Sequence, residues 1–233
     1  MKLRIYPEIF EAFPGLHLGV VVSGGIGNKG ESPEIEEMIR RRQIKIRDQF
    51  NLEELPEFPR IQCWRRAYAS FGAKPKKHLS SVENLLRMTL EGKDLRPINK
   101  VVDIYNYISL LHVVPVGGDD LARVEGDIIL RFARGDEPFW PLGSGEVQTA
   151  RQGEVIYADD KEVLCRRWNW RESEKTKMTE GSRDVLLVSE GLPPVSAQNM
   201  QAVVEDLAGL VEKFCGGETK RDILSVGKGE LEL

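Results

Sequence analysis

An α+β fold, with a central and mostly antiparallel sheet flanked by helices, is what this sequence predicts. Three observations carry the expectation. Helical spacing dominates from Ser32 to Leu111, short β-branched runs divided by turn residues dominate from Asp127 onward, and an amphipathic helix lies near the C-terminus. Strands and helices do not alternate regularly, which argues against a doubly wound parallel sheet.

Taken in order, Leu3 to Phe10 reads as a short strand with a turn at Pro7, and the β-branched run Leu16 to Val22 as a more buried strand. The glycine-rich stretch Ser23 to Gly30 follows that strand. It lacks the closing Gly-Lys-Ser/Thr of a phosphate loop and does not fit GxGxxG, so a loop with positive φ angles is expected. Ser32 and Pro33 open a helix that carries Ile35, Met38, Ile39 and Ile46 on one side, with Arg40-Arg41-Arg42 on a solvated face. Gln62 to Phe71 is a further helix. After the basic loop Gly72 to His78, Ser80-Ser81-Val82-Glu83 caps another helix. Lys100 to Leu111 has helical spacing interrupted by Asp103 and Asn106, each of which either holds structure or lines a pocket. Pro115 to Asp120 breaks that helix. Strands are expected at Asp127–Phe132, Val155–Tyr157, Val163–Trp170 and Asp184–Ser189. Gln198 to Phe214 is the terminal amphipathic helix, capped by Gly216-Gly217, and the tail is weakly structured or an edge strand.

Composition bounds the function classes. The 233 residues are 41% hydrophobic and 30% charged, as in ordinary globular proteins. No apolar run is long enough to span a bilayer and the N-terminus lacks a signal-peptide core, so a cytoplasmic location is expected. Cys63, Cys165 and Cys215 show neither metal-ligand spacing nor a disulfide framework, and His17, His78 and His112 have no ligand spacing. No metal, cofactor or familiar catalytic triad is expected. A net charge of −4 means that any nucleic-acid contact must come from a local basic cluster, and the best candidate is Arg65, Arg66, Lys74, Lys76 and Lys77.

The segment Cys165-Arg166-Arg167-Trp168-Asn169-Trp170-Arg171 is the other unusual stretch. On a strand, Arg166, Trp168 and Trp170 share one face, a stacking surface for a planar ligand. Arg167, Asn169 and Arg171 share the other, a donor-rich surface for phosphate or carbonyl groups.

Asn99 to Ser196 resembles the B3/B4 domain, the tRNA-binding and editing domain of the phenylalanyl-tRNA synthetase beta subunit. The resemblance rests on Val101-Val102-Asp103-Ile104-Tyr105-Asn106-Tyr107, on Pro115, on Arg123-Val124-Glu125-Gly126 ahead of a strand, and on Val155–Asp159 and Val185-Leu186-Leu187 downstream. It implies one freestanding B3/B4-like domain over 1–233. Residues 1–96 form an N-terminal helical and strand part, 97–196 the editing-domain core, and 197–233 a C-terminal helix and tail; no synthetase catalytic module is expected. It also implies tRNA, through its aminoacylated acceptor end, as partner, with neither DNA nor membrane involved. The family's pocket histidine falls at Gly117 and its tyrosine-recognising glutamate at Val188, while its asparagine is kept as Asn106. Pocket location is therefore expected to persist, and tyrosine recognition is not.

Two readings stay open, and a third beside them. In the first, a misacylated tRNA is hydrolysed in trans: Asn106, Arg167 and Asn169 do the chemistry, Arg166, Trp168, Trp170, Gly117 and Val188 shape the substrate site, and the basic cluster holds phosphates. In the second, the chain binds tRNA or an amino acid without catalysis. In the third, an acidic chain acts on a small molecule with no RNA.

Overall fold

A computed structural model describes residues 1–233. The chain forms β1 (Lys2–Ile5), α1 (Pro7–Ala12), β2 (His17–Gly24), α2 (Pro33–Gln49), α3 (Pro59–Ser70), α4 (Ser81–Leu90), α5 (Lys100–His112), β3 (Val116–Asp120) and β4 (Ile128–Phe132). There follow β5 (Pro138–Phe139), β6 (Gln148–Thr149), β7 (Val155–Ala158), β8 (Val163–Arg166), β9 (Arg171–Glu172), β10 (Val185–Gly191), α6 (Ala197–Cys215), β11 (Glu218–Leu224) and β12 (Glu230–Glu232). A six-stranded sheet runs β12-β1-β4-β7-β8-β9 and a four-stranded sheet runs β11-β2-β10-β3, with β5 and β6 paired separately. Every pairing is antiparallel except β1 with β4. The fold is α+β.

The four-stranded sheet is the middle of three layers. Leu18, Val20, Leu186 and Val188 face the six-stranded sheet, where they pack with Leu130, Tyr157, Leu164 and Trp168. The alternate residues Val21, Val185 and Leu187 face α2, α5 and α6 and pack on Ile39, Ile104, Ile108 and Val203. Both faces of β10 are thus buried, which is why its sequence is a continuous apolar run.

The helix signals act as capping chemistry requires. Side-chain oxygens of Ser32, Ser80, Asn99 and Ser196 accept N–H bonds at the starts of α2, α4, α5 and α6, and Gly216 closes α6 at φ 64°. Arg40 and Arg41 pair with Glu37 on the exposed face of α2, whereas Arg42 donates to the terminal carbonyls of Leu110 and Leu111.

Three expectations change. Pro7 starts α1 rather than interrupting a strand. Pro115 does end α5, but Val116 to Asp120 continues as the edge strand β3. Gly118 makes that pairing feasible, since a Cβ there would lie 2.3 Å from the Leu186 carbonyl oxygen. The largest change is at Val163–Trp170: the strand stops at Arg166, because Arg167 and Trp168 adopt left-handed φ values of 50° and 66°. The tail contributes two edge strands, β11 and β12. No helix is long and apolar enough to cross a membrane.

Candidate functional site

A cavity of about 530 Å³ opens at the β3 edge of the four-stranded sheet, between that sheet, the six-stranded sheet and helices α4 and α5. Its floor comes from paired strands. Gly117 lies opposite Val188, and Glu190 is two residues beyond Val188 on the same face of β10. Asn106 and Tyr105 of α5 form one wall, and Trp168, Asn169 and Trp170 form another. Asn106 is partly exposed and makes no side-chain hydrogen bond within the protein, so its amide is free toward the cavity. Asp103, its neighbour in the sequence reading, is structural: it is buried and accepts the Ile98 N–H at 3.0 Å.

Three carboxylates line the cavity, and none was singled out from sequence. Glu190 spans the sheets. It accepts the Tyr157 hydroxyl at 2.7 Å and the Asn169 amide at 2.6 Å, while Asn169 accepts the Tyr68 hydroxyl at 2.8 Å. The buried Trp168 indole N–H faces Glu190 and, with these two donors, favours its charged form. Burial pushes the Glu190 carboxyl up to about 7 despite these donors. Asp119 accepts the Thr176 hydroxyl at 2.5 Å and is raised to about 6 by burial. Glu172 makes no side-chain hydrogen bond, and burial together with nearby Asp119 raises it to about 7. Its Oε1 lies 3.2 Å from where a Gly117 Cβ would sit, so the missing side chain at Gly117 leaves room for this carboxylate.

The turn after β8 redistributes the predicted site residues. Arg166, Trp168 and Trp170 do not share a face. Arg166 and Arg167 are buried on one carboxylate, Glu154, at 2.7 and 2.8 Å, and neither lines the cavity. Their pairing is structural, because a buried guanidinium needs a counter-charge. Trp168 is fully buried and packs edge-on against Trp64 and Phe13, so it is foremost a core residue whose edge reaches the cavity wall. Trp170 remains a candidate platform. Arg167 sits 4.4 Å over its ring, His78 meets it edge-on, and the residue lines the cavity. Burial, with Arg167 nearby, holds His78 down to about 4.

The basic cluster divides as well. Arg65 is tied to buried Glu83 at 2.9 Å, which removes it from the free surface. Arg66, Lys74, Lys76 and Lys77 are exposed and form no ion pairs, and Lys77 is also part of the cavity lining. Sequence alternation could have found Glu190, since it is in phase with Val188. Asp119 and Glu172 carried no such signal, one being hidden in an apparent break and the other beyond an unsignalled turn.

The B3/4 domain family matches residues 63–216 of this α+β chain. The chain belongs to that family. It is 35% identical over 109 residues to the phenylalanine–tRNA ligase beta subunit of Chromobacterium violaceum, a match covering 47% of this chain and 14% of that protein. With the same subunit of Fusobacterium nucleatum it shares 32% identity over 80 residues, covering 34% of this chain and 10% of the relative. The chain thus matches only a small part of the length of these relatives. A crystallised N-terminal fragment of the Pyrococcus horikoshii phenylalanyl-tRNA synthetase beta subunit is similar over 93% of this chain and 50% of that one, at 14% identity and a TM-score of 0.47.

Proposed function

We propose that this protein binds the aminoacylated acceptor end of tRNA and hydrolyses the ester of a misacylated tRNA in trans. The observation that carries the reading is the junction at Lys77. This residue belongs both to the exposed basic segment with Lys74 and Lys76 and to the wall of the carboxylate-lined cavity. Phosphates held on the segment would deliver a chain end to the cavity, whose volume of about 530 Å³ is in the range of small-molecule sites.

The chemistry needs a water, a base and an acceptor of developing charge. Glu172, raised to about 7, is poised to take the proton of a water as it attacks the ester carbonyl carbon. The carbon–oxygen bond to the ribose then breaks, and the leaving hydroxyl recovers the proton from Glu172. The free amide of Asn106 orients the water or the carbonyl oxygen. In this arrangement Asn169 acts through Glu190, which it holds, and Trp170 offers an aromatic face for the terminal base. The roles expected for Arg166 and Arg167 pass to the carboxylates.

The test is amino-acid release from a panel of misacylated tRNAs. Turnover by the wild type with at least one pair is expected, with a fall of ten-fold or more in Asn106→Ala and Glu172→Gln. Absence of release above buffer with every pair, at micromolar protein, would sink the reading.

A further inference from the structure

One large aromatic side chain near the cavity supports no core. Around Trp140 the alternation is strict: Phe139 and Pro141 are buried, whereas Trp140 and Leu142 are exposed. Phe139 anchors the β5–β6 hairpin in a small apolar cluster with Ile156 and Val163. Trp140 is 42% exposed, belongs to none of the three apolar clusters and meets no other aromatic ring. Val147, 51% exposed, lies opposite it, one step beyond the Phe139–Gln148 pair. An exposed apolar patch without a packing role marks a contact surface.

Backbone bonds pin this patch at the cavity mouth. The Trp140 carbonyl accepts the Glu174 N–H at 2.8 Å, and the Leu142 N–H donates to the Glu172 carbonyl at 3.0 Å, so the segment runs antiparallel beside the chain at β9. The Glu174 carboxylate, which also pairs with Lys177, accepts the Gly143 N–H at 3.0 Å and holds the hairpin tip. Leu142 lines the cavity, and Trp140 lies two residues back on the same side, roughly 7 Å further out.

From Leu142 the rim continues through direct contacts. Arg171 donates to the Leu142 carbonyl at 2.9 Å, and its chain neighbour Trp170 meets His78, next to Lys77, edge-on. The mouth therefore carries Lys77, Trp170, Arg171 and Trp140 in sequence, a cation, a ring, a cation and a ring. Lys77 and Arg171 are both exposed and neither is paired with a carboxylate. Alternating cations and aromatic faces fit a strand of phosphates and bases. An apolar protein segment would match Trp140 and Val147 and leave both cations unmet.

We infer that this rim is a track for unpaired nucleotides, in which Trp140 stacks one nucleobase of the single-stranded 3′ end of tRNA and Arg171 and Lys77 meet its phosphates. The inference rests on the tRNA-binding half of the proposed function and adds a second stacking face outside the cavity.

Fluorescence anisotropy with 5′-labelled, uncharged tRNA tests this on the full chain, using intact tRNA and tRNA trimmed of its unpaired 3′ nucleotides. Trp140→Ala is expected to weaken binding of intact tRNA by roughly five-fold or more, to leave trimmed tRNA unaffected and to keep the thermal midpoint, while Trp140→Phe retains most of the affinity. Equal binding of intact tRNA by wild type and Trp140→Ala, or an equal loss for both tRNAs, overturns the inference and leaves the deacylation reading standing. The expected losses without amino-acid release from any misacylated tRNA would do the reverse. No wild-type binding of intact tRNA at micromolar protein overturns both.

Discussion

Replacing Glu190 with glutamine should reverse its effect on stability between acid and alkaline pH. Glu190 is 2% exposed and its carboxyl is raised from 4.5 to about 7, mainly by burial. A carboxyl raised in the folded state costs nothing below the unfolded value, because both states are then protonated. The cost grows as pH rises from 4.5 and is complete above 7, where the folded state must ionise a buried group. The shift corresponds to about 3 kcal/mol. Glutamine removes this cost and can still accept the Tyr157 hydroxyl. Its amide, however, would meet the Asn169 amide that now donates to Glu190, a mismatch of about 1 kcal/mol. The variant is therefore expected to be less stable than wild type by about 1 kcal/mol at pH 4.5, and more stable by about 2 kcal/mol at pH 8.5. Urea unfolding at both pH values reads this directly. A difference between the two proteins that does not change with pH would refute the assignment of Glu190 as a buried, high-pKa carboxyl.

Other perturbations separate structure from function. Trp168→Ala should cost about 3–5 kcal/mol in urea unfolding, because it empties a site packed against Trp64 and Phe13; a loss below 1 kcal/mol would mean that Trp168 is not a core residue. Glu154→Ala leaves two buried guanidinium groups without their carboxylate and should cost about 3–5 kcal/mol, while a stability unchanged from wild type would contradict the pairing. Joint replacement of Lys74, Lys76 and Lys77 by alanine should weaken tRNA binding and flatten its dependence on log salt by about 2 to 3, with thermal stability kept. An unchanged salt slope would remove these lysines from the phosphate surface.

Much of the fold could be read from the residues because caps and periodicity act locally. Ser32-Pro33, Ser80 and Gly216 mark helix ends through bonds that do not depend on the rest of the chain. The Val185 run announces a strand buried on both faces. The site was less legible because its geometry hangs on one turn. Arg167 and Trp168 take φ values that sequence usually signals with glycine or asparagine, and here tertiary contacts impose them: Glu154 holds Arg167, and Val155 accepts the Trp168 backbone N–H at 2.6 Å. Reading through that turn as a strand placed the arginines on a ligand face. It also hid Glu172, whose position depends on the chain reversing. Asn106 was legible because a polar residue interrupts an apolar helix face there, and the structure leaves its amide unpartnered at the cavity. Asp103 gave the same signal and turned out to brace the chain entering α5, so the signal marks a buried polar role without saying which.

In the proposed function a carboxylate of this cavity promotes water attack on an aminoacyl ester. This role is tested most directly by the pH dependence of kcat/KM for release from the best misacylated tRNA, in wild type and Glu172→Gln, each rate corrected for spontaneous ester hydrolysis. The wild-type value should rise with pH through an apparent pKa near 7 and then level off, because the base works ionised. The variant should lose that inflection along with most of its activity. A wild-type inflection that survives unchanged in Glu172→Gln would contradict the account.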